Sequence, residues 1–384
     1  MKPPAIALSP LLTVVAVAVA VAVAVAVAAA AAVAVAVVTD MMCNNKNRLL
    51  LQFHITGRCN LQCKHCYRTE GDVEPLGYED IVRVVAQFKE LRLSYNARHG
   101  ISRKGHINIT GGEPFFRKDI ENILQLLGEN KAHFTYGVLS NGSFLTDDRI
   151  RLLKETGAAF VQLSLDGTRQ THDFLRAPGD YDRVLRTAER LEKAGIPTYI
   201  SFTANRGNYK QLPEVAKQCR KHGITKLWSD RLVPIGNGQE LSGLTIGPDQ
   251  MADYIKTLKK ARGTFLQKLL HPKTQVTTNR ALQFLGGCGE VYTCSAGHSL
   301  ITVDEFGNIM PCRRLPILCG TVFESDLSSI YWNNQVFGQL RKKELPKSCA
   351  ACKYAYLCAG GARCQSYAVT GSFYKADPGC YLKK

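Results

Sequence analysis

Short apolar runs alternate with longer amphipathic stretches between residues 49 and 233. Apolar runs of strand length, each with turn residues near its C-terminal end, predict strands at 49–55, 106–110, 133–140, 160–167, 197–205 and 225–233. Apolar residues at helical spacing predict helices at 78–93, 120–127, 181–194 and 209–222, and another that Thr146 caps. This alternation predicts an α/β fold with parallel strands, either an open sheet or a partial barrel.

Glycine-rich and polar motifs follow four of these strands. GRCNLQCKHC follows the first, TGGEP the second and SNG the third, and SLDG closes the fourth. In folds of this kind, functional residues gather at the carboxyl ends of the strands. The sequence therefore predicts one site along this edge of the sheet.

The chain changes character after the sixth strand. A glycine-rich link at 234–247 and a helix at 248–269 lead into a cysteine-rich region without long apolar periodicity. Small domains of this type depend on bound metal for much of their stability. We therefore divide the chain into a core at 49–235, a linker and helix at 236–284, and a cysteine-rich domain at 285–384.

Residues 1–42 form a low-complexity extension dominated by Ala and Val. Its uncharged stretch at 11–38 is long enough to cross a bilayer, and the basic residues that follow would keep the rest of the protein in the cytoplasm. A strict dipeptide repeat is also typical of a repetitive DNA tract read in frame, with Met41 or Met42 as the true start. The extension is a translation artefact, a disordered tail or a membrane anchor.

Eleven of the fourteen cysteines fall into two sets. Cys59, Cys63 and Cys66 form a C-x3-C-x2-C run, and three thiolates can hold three irons of a four-iron cluster and leave the fourth iron open. Spacings of this kind in a long chain favour metal over disulfides, and reduced thiolates favour a cytoplasmic setting. Zinc is the alternative metal. The other eight could close two further clusters and are Cys288, Cys294, Cys312, Cys349, Cys352, Cys358, Cys364 and Cys380.

The formal net charge of +17 is compatible with acidic partners. The Lys and Arg residues are scattered, however, and form no dense patch with interleaved aromatic residues. Thiolate-ligated clusters are anionic and would offset part of the charge. We therefore expect no nucleic-acid partner, and an acidic peptide remains compatible with the charge.

The first cysteine motif, placed after the first strand, resembles that of the radical S-adenosylmethionine (SAM) enzymes. By that resemblance, Cys59, Cys63 and Cys66 ligate a [4Fe–4S] cluster whose open iron chelates the amino and carboxylate groups of SAM. Electron transfer then cleaves the sulfonium and releases a 5′-deoxyadenosyl radical. The resemblance also implies that the six units form a partial (β/α)6 barrel.

The motifs at the other strand ends resemble the SAM site of the same family. In TGGEP the glycines allow close backbone approach, and the backbone and Glu113 would hold the methionyl amino group. Ser164 and Arg176 would contact the ribose and carboxylate, and Asp166 would shape its turn. The cofactor-binding residues implied by the resemblance are His65, Gly111, Gly112, Glu113, Ser140, Asn141, Ser164 and Arg176.

The C-terminal cysteine pattern resembles the SPASM domain, a small cysteine-rich iron–sulfur domain shared by several peptide maturases. The resemblance implies two auxiliary [4Fe–4S] clusters and three clusters in total. One would be held by Cys288, Cys294, Cys312 and Cys364. The other would be held by Cys349, Cys352, Cys358 and Cys380. Five residues separate Cys358 from Cys364 where three are usual, so the assignment of Cys364 departs most from the family pattern.

Two cysteines outside these sets have predicted roles. Cys219 lies on a helical pattern and is expected to be buried packing. Cys319 follows the presumed first auxiliary ligands and could donate a hydrogen atom to a substrate radical, as an epimerase requires. Sulfatase maturases carry an aspartate base where this chain has Arg313, which argues against that activity. We expect Arg313 and Arg314 to be solvated at the surface rather than to meet an acidic substrate group.

These features predict an enzyme that modifies a ribosomally made peptide by cross-linking or epimerisation. Its expected partners are the peptide, an external reductant such as flavodoxin or ferredoxin, and a separate leader-binding protein. One alternative is a small-molecule enzyme of the haem-biosynthesis type, whose propionates would suit the arginines. Another is a non-catalytic electron-transfer protein, which the SAM-site motifs disfavour.

Overall fold

The computed structural model describes residues 48–68, 76–287 and 292–382. Within these ranges the strands are β1 Leu50–Thr56, β2 Gly105–Gly111, β3 Phe134–Leu139, β4 Phe160–Ser164, β5 Thr198–Ala204, β6 Lys226–Arg231, β7 Gln275–Thr277, β8 Leu300–Val303, β9 Asn308–Met310 and β10 Gly320–Thr321. They form one sheet in the order β10-β9-β8-β1-β2-β3-β4-β5-β6-β7. All neighbours from β8 through β1 to β7 are parallel, and β9 is antiparallel to β8 and β10.

The helices of the described residues lie mostly between consecutive strands. They are α1 Tyr78–His99, α2 Ile120–Glu129, α3 Asp147–Glu155, α4 Arg169–Leu175, α5 Asp180–Lys193, α6 Leu212–Lys221, α7 Pro248–Ala261, α8 Phe265–Leu270, α9 Leu327–Asn333, α10 Gln335–Lys342, α11 Ala355–Cys358 and α12 Arg363–Thr370. The predicted α/β fold with a parallel sheet is thereby confirmed, and the strand order is consistent with a partial barrel.

Strand β1 shows how the apolar pattern builds this fold. Leu51, Phe53 and Ile55 alternate along the strand and are buried in the main hydrophobic core. Leu50 and Gln52 alternate with them and line a cavity instead. The two faces of the strand therefore separate the packed core from the site.

The C-terminal region extends the core sheet, which the strand pattern did not predict. β8 lies parallel beside β1, with Leu50 opposite Leu300 and Phe53 opposite Val303. The β9 and β10 strands continue the sheet beyond β8. Leu49–Lys384 accordingly form one compact unit. The boundaries at 235 and 284 remain predictions.

Two predicted helices are interrupted. The helix expected at 248–269 breaks at Gly263, whose φ of 75° is left-handed, and a new helix begins after Thr264. The helix expected at 209–222 begins with a separate 3-10 turn at Tyr209–Gln211. Local propensity does not resolve such breaks, because the apolar spacing continues across them.

The predicted extension at 1–42 lies outside the described residues. Among the residues that the structure describes, no helix is both long and apolar enough to cross a membrane. Cys219 is fully buried in the core, as expected from its helical pattern.

Candidate active site

The loop after β1 carries the first cysteine set. Cys59, Cys63 and Cys66 are free thiols and all line one cavity of about 380 Å³. The backbone N–H of Lys64 donates to the carbonyl of Leu175 at 2.9 Å, and the Cys66 carbonyl accepts from Gly238 at 3.0 Å. Segments that follow β4 and β6 therefore hold this loop against the ends of the strands.

Gly111 and Gly112 bring the end of β2 into contact with the start of the cysteine loop. A Cβ on Gly112 would lie 2.0 Å from the carbonyl oxygen of Arg58, and one on Gly111 would lie 2.3 Å from that of Thr56. Gly111 also has a φ of 131°, which L-residues rarely adopt. Both glycines line the cavity, so a ligand there can approach their backbone closely.

Glu113 is fully buried and holds the turn after β3. Its Oε1 accepts from Ser140 Oγ at 2.8 Å, and its Oε2 accepts from the Asn141 N–H at 2.7 Å. Burial raises the pKa of Glu113 to about 7, although these hydrogen bonds oppose the shift. Asn141 Nδ2 in turn lies 3.8 Å from Cys59 Sγ. Glu113 is not among the cavity-lining residues, so here it positions Ser140 and Asn141, which do line the cavity.

Asp166 organises a second polar cluster. Its Oδ2 accepts from Arg176 Nε at 2.6 Å and lies 3.3 Å from His65 Nε2, while its Oδ1 accepts from the Thr203 N–H at 2.7 Å. Burial opposes ionisation of Asp166, but Arg176 and His65 outweigh it and hold its pKa well below the usual range. Arg176 is thereby fixed with Nη1 3.7 Å from Cys63 Sγ.

Ser164 lies at the end of β4, where its Oγ is 3.1 Å from that of Ser201 on β5. The structure thus brings together on one cavity most of the residues predicted to bind the cofactor. Those that line it are His65, Gly111, Gly112, Ser140, Asn141, Ser164 and Arg176.

The same cavity receives part of the C-terminal cysteine set. Cys294, Cys312 and Cys364 line it together with the first cysteine loop. Burial raises the pKa of the Cys312 thiol, and Cys364 is likewise buried. Cys288, predicted to join them, lies outside the described residues.

The remaining C-terminal cysteines line a separate small cavity. Its walls also include Leu282, Phe284 and Leu285, from the turn before the cysteine-rich region. The four cysteines are Cys349, Cys352, Cys358 and Cys380. Cys319 lines neither of these two cavities; its Sγ is 3.4 Å from the Ile317 carbonyl, beside the β10 edge strand.

Charged residues at the end of β6 complete the wall of the larger cavity, and sequence analysis missed them. Arg314 Nη1 donates to Asp230 Oδ2 at 2.8 Å, and Arg280 Nε lies 4.0 Å from the same oxygen. The Arg280 guanidinium also stacks 4.2 Å from the centre of the Trp228 ring. The signal in the sequence is the adjacent Asp230 and Arg231 in WSDR, because charged residues at the end of a buried strand are candidates for a functional site.

The expectation that Arg313 and Arg314 are solvated at the surface is wrong. The Arg313 side chain is only 14% exposed and lies within 3.5 Å of both Asp304 and Glu305. Arg314 lines the cavity and pairs with Asp230. The acidic partners could not be identified from the sequence. Asp230, the partner of Arg314, is more than eighty residues away along the chain, and the partners of Arg313 lie on a turn that the sequence pattern does not predict.

The donor set fits an iron–sulfur group with SAM better than a single zinc ion. Three thiols on one short loop face a cavity whose other walls carry exposed backbone, hydroxyl and guanidinium groups. A structural zinc needs four ligands converging on one point. In the described ranges no three His, Cys, Asp or Glu side chains converge in that way. Cluster thiolates each bind a different iron and can lie further apart.

Comparisons with known proteins agree with this geometry. The sequence model of the radical SAM superfamily matches residues 53–219, and that of the SPASM iron-sulfur cluster-binding domain matches residues 294–353. The AdoMet-dependent heme synthase of Methanosarcina barkeri is 26% identical, over 87% of this chain and 96% of its own length. The mycofactocin maturase MftC of Mycolicibacterium smegmatis is 25% identical, over 86% and 82% respectively.

The fold also matches a solved structure. Streptococcus suis SuiB bound to S-adenosylmethionine superposes with a TM-score of 0.68, covering 87% of this chain and 77% of SuiB at 19% identity. At that identity the likeness shows the fold alone. The two matched sequence models show that this chain contains a radical SAM enzyme domain at residues 53–219 and a C-terminal SPASM iron–sulfur domain at residues 294–353.

Proposed function

We propose that Cys59, Cys63 and Cys66 hold a [4Fe–4S] cluster that binds SAM in the larger cavity. When bound, the cluster and SAM supply a 5′-deoxyadenosyl radical that abstracts hydrogen from a substrate. The support is the convergence of three thiols with polar groups from four strand ends. Gly111 and Gly112 offer backbone to the ligand, and Arg176 offers a fixed positive charge.

The eight C-terminal cysteines would hold two auxiliary clusters, giving three in total. Support comes from their division between two cavities, with Cys294, Cys312 and Cys364 in one. Cys349, Cys352, Cys358 and Cys380 line the other. Cys288 would complete the first set.

The substrate we propose is a ribosomally made peptide, which the enzyme cross-links. The single observation that carries this is that the SAM-site cysteines face the same cavity as Cys294, Cys312 and Cys364, the described members of the first auxiliary set. A substrate radical formed there would lie beside an electron acceptor, as oxidative cross-linking requires. Relatives named as maturases, MftC and the sporulation killing factor maturation protein SkfB of Bacillus subtilis, agree with this. Cys319 lines neither cavity, so we favour cross-linking over epimerisation through its thiol.

The experiment is anaerobic reconstitution with iron and sulfide, followed by SAM and dithionite. We expect 5′-deoxyadenosine and about twelve irons per chain. Co-expression with each short open reading frame beside the gene should then give a peptide about 2 Da lighter, because a cross-link removes two hydrogens. No 5′-deoxyadenosine would refute the radical chemistry, and four irons would refute the auxiliary clusters.

A second candidate is a small-molecule activity of the haem-biosynthesis type. Arg280 and Arg314 share the single carboxylate of Asp230 in the cavity wall, which leaves positive charge for substrate carboxylates. The relative in Methanosarcina barkeri is named for haem synthesis. Incubation with Fe-coproporphyrin III decides between the two candidates. Loss of 46 Da per propionate, which is CO2 and two hydrogens as a propionate becomes a vinyl group, would favour this candidate, and an unchanged porphyrin would favour the peptide.

The proposed cytoplasmic enzyme would take its electrons from flavodoxin or ferredoxin. A separate protein would present the leader of the peptide. Pull-down with the tagged enzyme under anaerobic conditions would test both partners.

A further inference from the structure

The segment that carries the second auxiliary cysteine set also forms part of the protein surface. Residues 341–358 comprise the end of α10, the loop that follows it and helix α11, and they include Cys349, Cys352 and Cys358, which line the small cavity. We call the outward side of this segment the cysteine rim. Cys349, Cys352 and Cys358 are each partly exposed, so the small cavity lies close to this surface.

The cysteine rim is strongly basic. Residues 341–358 contain five Lys or Arg residues and a single acid, Glu344. Four of the basic residues are exposed lysines: Lys342, Lys343, Lys347 and Lys353. The lysines lie on the same short segment as three of the cavity's cysteines, so a partner that approaches these cysteines meets positive charge.

Apolar side chains lie at the centre of the same surface. Tyr356 is 95% exposed and Leu357 is 55% exposed, although both stand on a helix between two cavity cysteines. Leu345 and Leu382 are also partly exposed. An apolar centre with a charged rim is the usual anatomy of a protein interface.

We propose that the cysteine rim is the docking surface for an acidic one-electron carrier of the flavodoxin type. This inference rests on the proposed cluster at Cys349, Cys352, Cys358 and Cys380. A carrier must approach the cluster closely, and the rim lies on the same short segment as three of the four proposed cluster ligands. The charge complements an acidic carrier, and the small apolar centre suits the small, transient interfaces of electron-transfer partners.

The test measures docking and electron exchange with a purified bacterial flavodoxin. In each exchange the anionic flavodoxin hydroquinone loses one electron to become the neutral semiquinone, and the enzyme gains that electron. Lys347→Glu/Lys353→Glu should weaken flavodoxin binding about tenfold at low ionic strength, and the difference should shrink as salt is added. Stopped-flow absorbance of the semiquinone should show the same loss in rate.

The matched control is Lys217→Glu/Lys221→Glu, which makes the same change in net charge at two exposed lysines on α6. It should bind flavodoxin nearly as well as the wild type. Tyr356→Ser, which removes apolar contact without changing charge, should weaken binding at all salt concentrations. Iron content and melting temperature of each variant identify any misfolded sample.

Dithionite needs no docking surface, so all variants should form 5′-deoxyadenosine with dithionite at the wild-type rate. If the wild type forms no 5′-deoxyadenosine with dithionite, the proposed function is refuted. The docking surface can then still be tested by measuring flavodoxin binding. The inference is overturned if the rim variant binds flavodoxin like the wild type, or if the α6 control loses as much. It is also overturned if Tyr356→Ser leaves flavodoxin binding unchanged and instead dissociates a dimer of the enzyme or weakens the binding of a peptide substrate.

Discussion

Gly112 occupies a position where the fold leaves no room for a side chain. A Cβ there would lie 2.0 Å from the backbone oxygen of Arg58, and backbone cannot rotate away as a flexible side chain can. Gly112→Ala should therefore destabilise the protein by about 1–3 kcal/mol and weaken SAM binding. Anaerobic thermal unfolding and calorimetric titration with SAM would measure both.

The control for this substitution is Gly338→Ala. A Cβ on Gly338, inside α10, meets nothing within 4 Å. That variant should be neutral or gain up to about 1 kcal/mol, because alanine is the better helix former. If Gly112→Ala and Gly338→Ala lose equal stability, crowding against the Arg58 carbonyl is not the cause of the loss.

Glu113 should make stability depend on pH. Its pKa is raised by burial to about 7 in the folded protein, against about 4.3 for an unfolded glutamate. The folded state therefore binds the proton more tightly, so this contribution to stability is full below about pH 4 and is lost as the pH rises through 7. Comparing thermal unfolding of wild type and Glu113→Gln between pH 4 and 8 measures it.

Glutamine at position 113 does not titrate. Its side chain has one oxygen where glutamate has two, so the Asn141 N–H loses its acceptor. The variant should be less stable at pH 5, by about 1–3 kcal/mol for the unsatisfied donor, and the deficit should narrow toward pH 8. A deficit that stays constant or widens with pH would contradict the raised pKa.

At the same scale, the residues of the site were predictable but their contacts were not. The role of Glu113 at the methionyl amino group stays a prediction, and the motif did not indicate that both of its oxygens also accept hydrogen bonds from the turn after β3. Asp166 was expected to shape a turn, and it also anchors Arg176 and lies beside His65. A motif identifies residue types, but only the packing of distant segments determines which atoms meet.

Among the elements, α3 offers a direct test of a predicted helix start. Thr146 Oγ1 accepts from the Arg149 N–H at 3.3 Å, as the predicted cap requires. Thr146→Ala should destabilise the protein by about 1 kcal/mol, because the Arg149 N–H loses its side-chain acceptor. Thr146→Ser keeps the hydroxyl and should recover most of the loss in thermal unfolding. Similar melting of the alanine and serine variants would count against the cap.

Helix breaks were harder to predict than helix starts. Thr146 and the acidic residues after it are a local signal, whereas the apolar spacing of α7 and α8 runs on through Gly263. Arg220 reaches the same place and donates to the Ala261 carbonyl at 2.6 Å. The break at Gly263 is therefore supported by a side chain from another element, which satisfies one of the last carbonyls of α7, and the apolar spacing in the sequence does not indicate that neighbour.

At the scale of the molecule, a buried ion pair joins the core to the C-terminal region. Arg231 on β6 donates to both oxygens of Asp377, at 2.9 and 2.5 Å, and the two side chains are 3% and 1% exposed. Asp377→Asn should cost about 3–5 kcal/mol, because it leaves the guanidinium charge buried without a counter-charge. Thermal unfolding and hydrogen exchange across residues 355–380 would report the loss.

The double variant Arg231→Met/Asp377→Asn separates charge from shape. It removes the buried charge but keeps an amide oxygen to accept from the Ala362 or Gly379 N–H. Its stability should recover part of the loss. If the double variant unfolds at no higher a temperature than Asp377→Asn alone, the uncompensated charge is not what destabilises the single variant.

The sequence by itself determined the six β-α units, the family, and the grouping of most cysteines. These depend on local periodicity and on spacing along the chain, which remain visible without a structure. Only the tertiary structure decided that β8 lies against β1, that Arg314 meets Asp230 and that Arg231 meets Asp377. Each of these joins segments far apart in sequence, and which distant surfaces pack together depends on the shape and charge of the whole fold.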